Sequence, residues 1–379
     1  MKSIEDYLII NKMQIKNRLV LPPLTTNYGT AQGLVTPDVL RFYKERSMDV
    51  GLVIVEAAAV SPDGRIVPSS LGLWEDGQIK GMTELANTIK QAGARAVIQL
   101  NHAGAKACPL GTSTRGLSPS GVACRPGIVP VVMDTRDMDR LVDDFVSAAS
   151  RAAEAGFDGV EIHGAHLYLV SQFLSPLTNV RNDQYGGDTE KRAALALKIV
   201  TQVRNRLGKD FPLFFRLNAI ENMDGGQNLD QALIIGKLLA EAGVDALDIS
   251  LVASGSWKTI EDEKILVSSS ALDKDQVPGS NVGFTAQFKQ TCNVPVIAVG
   301  KLGTREEADA AIQDTGVDMV AIGRQMICDP RTGAKILAGK QAPEGEDNQI
   351  IVCEECMACF ASIGKGNPLT CKVNKGLPG

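Results

Sequence analysis

The sequence predicts an α/β protein, a (β/α)8 TIM barrel with a short C-terminal Cys-rich extension. Two patterns carry this. Eight short runs rich in Val, Ile and Leu alternate with longer amphipathic stretches, and Gly-x-Asp triplets recur just before a run. Near-continuous apolar strands suit a parallel sheet covered on both faces. Eight strand–helix repeats in one chain favour a closed barrel over a doubly wound sheet. The runs are residues 18–24, 51–55, 96–100, 159–162, 213–217, 246–249, 294–299 and 319–322. The helical stretches are residues 37–48, 79–92, 137–155, 189–207, 229–242, 305–314 and 330–338. Gly156-Phe157-Asp158, Gly243-Val244-Asp245 and Gly316-Val317-Asp318 read as helix C-caps leading into the next strand.

Two connections are long, residues 104–136 after the third run and 251–283 after the sixth. Loops of this length in a compact domain serve as lids or binding loops. The polar segment 341–349 (QAPEGEDNQ) breaks the alternation and reads as a linker. The expected organisation is a barrel over residues 1–340 and a linker with a Cys-rich tail over 341–379.

The chain has 379 residues, 44% apolar and 22% charged, which excludes disorder, collagen and coiled coil as the main architecture. No 18-residue apolar run exists, so no membrane span is expected. Glu5 and Asp6 interrupt the region where a signal peptide needs apolar residues, so a cytoplasmic protein is expected. The net charge of −5 disfavours a nucleic-acid partner. Aromatics are few, at 4%, which speaks against stacking platforms.

A barrel builds its active site at the C-terminal ends of its strands. There are only three histidines, His102, His163 and His166, and all three fall at predicted strand ends. His163, His166 and Tyr168 place several donor and titratable groups at one mouth. Imidazoles hold a carbonyl oxygen and stabilise charge developing on it, and a phenol can deliver a proton to a carbanion-like carbon. The rival readings are a satisfied core histidine and a zinc hydrolase with His102 as third ligand. The zinc reading lacks an acidic partner nearby.

Gly300 and Lys301 follow the seventh run, and Gly323 and Arg324 the eighth. In this fold phosphate binds there, on backbone N–H groups. Glycines that only permit sharp turns are the plainer reading, but two neighbouring loops plus Arg324 favour phosphate. A phosphate-bearing cofactor such as FMN follows. Gln99 and Arg216 would then bond the flavin ring edge, with a buried structural ion pair as the alternative for Arg216.

Four of the eight cysteines fall in the last 27 residues: Cys353, Cys356, Cys359 and Cys371. This density suits an iron–sulfur or zinc site, and a tail of free thiols is the alternative. Cys108, Cys124, Cys292 and Cys328 are scattered and read as structural.

These residues together resemble the Old Yellow Enzyme family of FMN-dependent oxidoreductases over residues 5–340. The matching stretches are Asn17-Arg18, Pro23-Leu24-Thr25, residues 51–57 (GLVIVEA), 99–104 (QLNHAG), 161–168 (EIHGAHLY), 173–187 (FLSPLTNVRNDQYGG), 322–324 and Asp329-Pro330. The resemblance implies FMN at the strand ends. Thr25, Ala57, Gln99 and Arg216 would contact the ring, and Gly300, Lys301, Gly323 and Arg324 the phosphate. It also implies that His163 and His166 hold a substrate carbonyl oxygen and that Tyr168 donates the proton. NADH or NADPH would reduce the flavin, which then reduces an activated alkene. The tail is similar to a subgroup with 2,4-dienoyl-CoA reductases and trimethylamine dehydrogenase, where such cysteines hold a [4Fe–4S] cluster. Two departures stand out. Two residues rather than three separate Cys356 from Cys359, and the sequence stops at Gly379, before the nucleotide-binding domains of those enzymes. Asn27, where relatives carry an aromatic residue, predicts a more polar pocket floor.

The leading expectation is an ene-reductase acting on a small-molecule α,β-unsaturated carbonyl or enoyl thioester. The alternatives are an oxidative amine demethylase on the same barrel, a flavin and iron–sulfur electron-transfer or redox-sensing module, and a non-flavin barrel hydrolase. A homo-oligomer is compatible with the sequence, and a bound cluster would call for an electron-donor partner.

Overall fold

The computed structural model describes residues 2–109, 115–339 and 349–378. Eight parallel strands close into a barrel: β1 (Leu19–Leu21), β2 (Leu52–Ala59), β3 (Arg95–Asn101), β4 (Gly159–Gly164), β5 (Leu213–Glu221), β6 (Ala246–Val252), β7 (Val296–Val299) and β8 (Met319–Ala321). Each strand pairs with its sequence neighbours, and β8 returns to β1 through Val320↔Leu19. All eight apolar runs form barrel strands. β1 is shorter than its run because Pro22 and Pro23 have no N–H for the ladder. β7 starts two residues late, after Asn293 in a left-handed turn (φ 52°) and Pro295.

The outer layer is α1 (Pro37–Ser47), α2 (Ile79–Gln91), α3 (Thr135–Glu154), α4 (Thr189–Leu207), α5 (Leu229–Glu241), α6 (Val282–Cys292), α7 (Arg305–Thr315) and α8 (Thr332–Ala338). Short polar residues start most of them. Thr36, Asp134, Asp188, Asn228 and Thr304 each accept a first-turn N–H through the side chain. The seven helical stretches are all present, with two corrections. α6 lies wholly outside them, starting inside the segment expected to be a loop. The stretch 330–338 is preceded by a separate turn of helix, Arg324–Cys328, broken off at Asp329-Pro330.

The Gly-x-Asp triplets do two jobs. Gly156, Gly243 and Gly316 sit at positive φ (84°, 107° and 77°) just past α3, α5 and α7. Their aspartates then staple the barrel floor. The carboxylates of Asp158, Asp245 and Asp318 accept the N–H of Ala96 (2.9 Å), Leu213 (2.8 Å) and Val296 (3.0 Å) on the neighbouring strand. Below these staples a hairpin, Leu8–Ile10 with Met13–Ile15, plugs the barrel bottom. Its Ile10, Met13 and Ile15 pack with Val20, Leu52, Phe214 and Met319 from the strands. The open end is therefore the other one, at the strand C-termini.

The two long connections are structured. After β6 the chain forms a hairpin, Ser254–Ile260 with Glu263–Ser269, and the earlier connection forms a small parallel pair, Arg115–Ser118 with Val129–Val132. The two meet where Leu266 N donates to the Ala123 carbonyl (2.8 Å), so they roof the barrel mouth together. The expected linker over residues 341–349 lies, up to residue 348, outside the described residues. The tail from residue 349 docks on the barrel, and Leu369 is buried in the main core. No helix among the described residues is long and apolar enough to cross a membrane.

Candidate active site

The strand ends enclose one cavity of about 870 Å³. This is within the range of roughly 300–1,000 Å³ that holds cofactors and small ligands. It brings together every residue named for catalysis and cofactor binding. Thr25, Ala57, Gln99 and Arg216 line one part; Gly300, Lys301, Gly323 and Arg324 line another; His163, His166 and Tyr168 line a third.

His163 is the penultimate residue of β4, and its Nδ1 accepts the Ala165 N–H (3.4 Å). The next residues turn sharply. His166 and Leu167 both have left-handed backbones (φ 61° and 56°), which cost non-glycine residues energy and persist only when neighbours impose them. The neighbours here are Asn218, whose side chain accepts the His166 N–H (3.1 Å), and Ser171, whose hydroxyl accepts that of Leu167 (3.2 Å). His166 Nε2 pairs with the Ser250 hydroxyl on β6 (2.7 Å). The two imidazoles stand edge to face, 5.1 Å between centroids, and Tyr168 lies 5.1 Å from His163.

Burial, with the Arg216 charge adding to it, holds both imidazoles well below the usual histidine range. They are neutral N–H donors across physiological pH. Burial pushes the Tyr168 phenol up to about 12, against a smaller opposing effect of Arg125. Tyr168 therefore keeps its proton. One wall of the cavity thus carries two neutral donors beside a protonated phenol.

Lys106 is a residue of this wall that strand-end reasoning passed over. Its ammonium donates to the His166 carbonyl (2.8 Å) and the Ser268 hydroxyl (2.6 Å), and it lies 5.5 Å from the Tyr168 ring centroid. Burial lowers it to about 8. It ties the histidine loop to the roofing hairpin. Its signal in the sequence was a lone lysine four residues past His102, with nothing local to mark its aim. Arg125 joins it in the cavity wall, its guanidinium donating to the carbonyls of Ile66 (3.1 Å) and Lys106 (3.4 Å).

Below the wall, Gln99 donates to Glu161 (2.8 Å), and Arg216 stands 3.4 Å from Asp248. Arg216 is therefore in a buried ion pair and on the cavity surface at once. At the opposite end, Gly300 (φ 150°) lies close to the Asn281 side chain, and Arg324 opens the helix after Gly323, its guanidinium donating to the Leu272 carbonyl (3.2 Å) and the Met357 sulfur (3.4 Å).

Four expectations need correction. Lys301 does not offer its charge to this end. Its ammonium is taken by the carbonyls of Asp273, Lys274 and Gln276 (3.1, 2.8 and 2.8 Å) and by the Glu355 carboxylate (2.7 Å). What it presents is main chain. His102 is buried outside the cavity, its Nδ1 accepting the Gly104 N–H (3.0 Å) and its Nε2 3.6 Å from Asp63. This is a core histidine, with Nε2 facing Asp63 but without a hydrogen-bond partner, and it removes the third zinc ligand. Asn27 is not a pocket floor; it clamps the tail, donating to the Gly366 carbonyl (2.8 Å) and accepting from Ser69 N–H (2.8 Å). Finally, the tail cysteines come together only in part: Cys353 lies near Cys359 and Cys371, and Cys371 beside Cys328. Cys353 and Cys359 line the cavity, Cys356 is exposed, and Cys371 accepts the Asn374 N–H (3.4 Å). Among the described residues no group of three or more His, Cys, Asp or Glu side chains is placed to hold a metal ion. Cys328, read as scattered, lies beside this tail, and its thiol donates to the Ile351 carbonyl (3.4 Å).

Residues 8–342 match the NADH:flavin oxidoreductase / NADH oxidase family. The chain belongs to this family. An NADH oxidase of Thermoanaerobacter brockii is 35% identical over 96% of the chain, which spans only 54% of that protein. An NADPH dehydrogenase of Bacillus subtilis (strain 168) is 36% identical over 87% of the chain, which covers 94% of the relative. The Old Yellow Enzyme homologue from Zymomonas mobilis shares the fold, with a TM-score of 0.77, 24% identity, and coverage of 100% of this chain and 99% of that one. As a member of the NADH:flavin oxidoreductase family, the protein is an NAD(P)H-dependent flavin oxidoreductase with FMN as its cofactor. The cavity fits that cofactor. It is large enough, with an amide and a guanidinium at one part and glycine backbone with Arg324 at another.

Proposed function

We propose that the protein is an ene-reductase. It would use NADH or NADPH to reduce the activated C=C bond of an α,β-unsaturated carbonyl or enoyl thioester. The observation that carries this reading is the wall of His163, His166 and Tyr168, two neutral imidazoles against a protonated phenol. FMN, when bound, supplies the hydride chemistry. Thr25, Ala57, Gln99 and Arg216 would hold its ring, and Gly300, Gly323, Arg324 and the Lys301 main chain its phosphate. His163 and His166 grip the carbonyl oxygen and stabilise the charge that builds there. Tyr168 delivers the proton to the α-carbon. The roof made by the two long connections excludes water from this step.

The cations Lys106 and Arg125 flank the same wall. They oppose a methylammonium substrate, so the structure favours alkene reduction over amine demethylation. The test is anaerobic rapid mixing of the FMN-loaded protein. NADH or NADPH should bleach the flavin, and an enone or enoyl thioester should then restore its colour. Bleaching by methylated amines, with no response to NAD(P)H, would overturn the reading.

A further inference from the structure

Glu161 and Asp248 are fully buried, on β4 and β6, with Arg216 between them on β5. Across β4 and β5, Arg216 is opposite His163, two residues on from Glu161, and the three charges still reach one another. Gln99 is opposite Glu161, and Asp248 opposite Arg216. Together they supply one fixed cation and two carboxyl groups. Yet Glu161 Oε2, both carboxyl oxygens of Asp248 and Arg216 Nε have no hydrogen-bond partner. If both carboxyls were ionised, the layer would carry an uncompensated negative charge in a buried setting, at a large cost. Two carboxyls sharing a site separate in their protonation instead.

Geometry decides which one keeps the proton. Asp248 has the cation, 3.4 Å from Arg216 Nε. Glu161 has only a neutral donor, the Gln99 amide at 2.8 Å. The other nearby groups are His163, neutral and two residues further along β4, and Lys106, further off at the cavity wall.

We propose that Glu161 is a positioning residue that holds its proton at neutral pH, and Asp248 the ionised counter-ion of Arg216, so that the layer under the flavin edge is electrically balanced. Burial raises both carboxyls, and at Glu161 the Asp248 charge adds to burial while Arg216 and Gln99 oppose it. The proton has a purpose. A reduced flavin ring gathers negative charge at the edge that Gln99 and Arg216 would face. An ionised Glu161 would cancel what Arg216 offers there. Glu161 does not touch the ring; it acts through Gln99 and through the charge balance of Arg216.

This rests on assigning Gln99 and Arg216 to the flavin edge, and two readouts keep the two claims apart. The first is infrared spectroscopy of the full chain, with and without FMN. At pH 9, above the range in which Glu56 holds its proton, the C=O stretch of a protonated carboxylic acid should be present in the wild type and lost in Glu161→Gln. In Asp248→Asn it should titrate at lower pH, because the repelling charge is gone and Arg216 is left to Glu161 alone. A wild type without this band would overturn the proposal, as would a band that survives in Glu161→Gln and vanishes in Asp248→Asn. If Glu161→Gln fails to fold, the wild-type band and its shift in Asp248→Asn still decide. The second readout is the flavin midpoint potential against pH. Wild-type and Glu161→Gln curves should agree below the titration of the band and diverge above it, the wild type being lower. Curves of identical slope throughout would break the link to the flavin while leaving the protonation result standing.

Discussion

The Tyr168→Phe substitution tests the proposed chemistry most directly. Phe keeps the ring that packs 5.1 Å from His163 and removes only the hydroxyl. The wall should keep its shape and lose its acid. A positioned general acid contributes about 10²- to 10⁴-fold, and each decade is about 1.36 kcal/mol. The barrier to alkene protonation should therefore rise by roughly 3–5 kcal/mol. The pH dependence follows from the same burial. With the phenol pushed up to about 12, Tyr168 is protonated at every working pH. The wild-type rate of alkene reduction should then show no loss attributable to this group between pH 6 and pH 10, and the variant should be slow throughout. The assay is anaerobic stopped flow on the two half-reactions. Flavin bleaching by NADH or NADPH should keep its rate, and re-oxidation by an enone should slow. Unchanged re-oxidation across several enones would refute the assignment.

Three further perturbations follow. Glu56 is buried with its carboxylate accepting Thr26 N–H (2.9 Å) and hydroxyl (2.6 Å), and burial raises it from 4.5 to about 7. The folded chain therefore holds a proton that the unfolded chain releases, so stability should fall as pH rises through this window, by about 3 kcal/mol at most. Thermal denaturation of Glu56→Gln should show a flatter profile between pH 5 and pH 8, and a constant offset from wild type would contradict the raised value. Lys106 is charged below about 8, and its ammonium bridges the histidine loop to Ser268. Substrate KM should rise as pH passes 8 in wild type but not in Lys106→Met; parallel profiles would exclude the latch. Leu369 is 2% exposed, and its backbone pairs with Thr26 (2.8 Å) and the Tyr28 hydroxyl (2.6 Å). Leu369→Ala should weaken tail docking by about 2–5 kcal/mol, seen as faster proteolysis after residue 349 and weaker FMN retention. Unaltered proteolysis and retention would show that the tail is held elsewhere.

The barrel was legible because its signal is local. A strand buried on both faces must be apolar without interruption, and a glycine at positive φ must end the helix before it. Gly243 and Asp245 state both conditions within three residues. The residues lining the cavity were legible for a related reason. Once the strands are placed, the fold decides that His163, Arg216 and Gly323 share one mouth, whatever lies between them. What escaped the sequence depends on partners far along the chain. α6 (VGFTAQFKQTC) has glycine and threonine where a helical stripe would show, and it is held by packing: its Phe288 lies against Gly236 of α5. The hairpin after β6 owes its position to Ala123 in the other long connection.

Lys301 shows the same limit at the scale of one side chain. Beside two glycine-bearing loops, its charge reads as a phosphate ligand. The structure hands that charge to carbonyls some 25 residues earlier and to a glutamate in the tail. An ammonium so surrounded has little to gain from a phosphate, since its donors are already used. Its role becomes architectural: it joins the connection after β6, the strand end at β7 and the tail at Glu355 around one charge. Arg324 is different: among the described residues it makes no ion pair with a carboxylate, and it bonds the Leu272 carbonyl and the Met357 sulfur, with Cys353 and Cys359 near. Of the two cations that the sequence offered for the phosphate end, the structure thus leaves one to do that work.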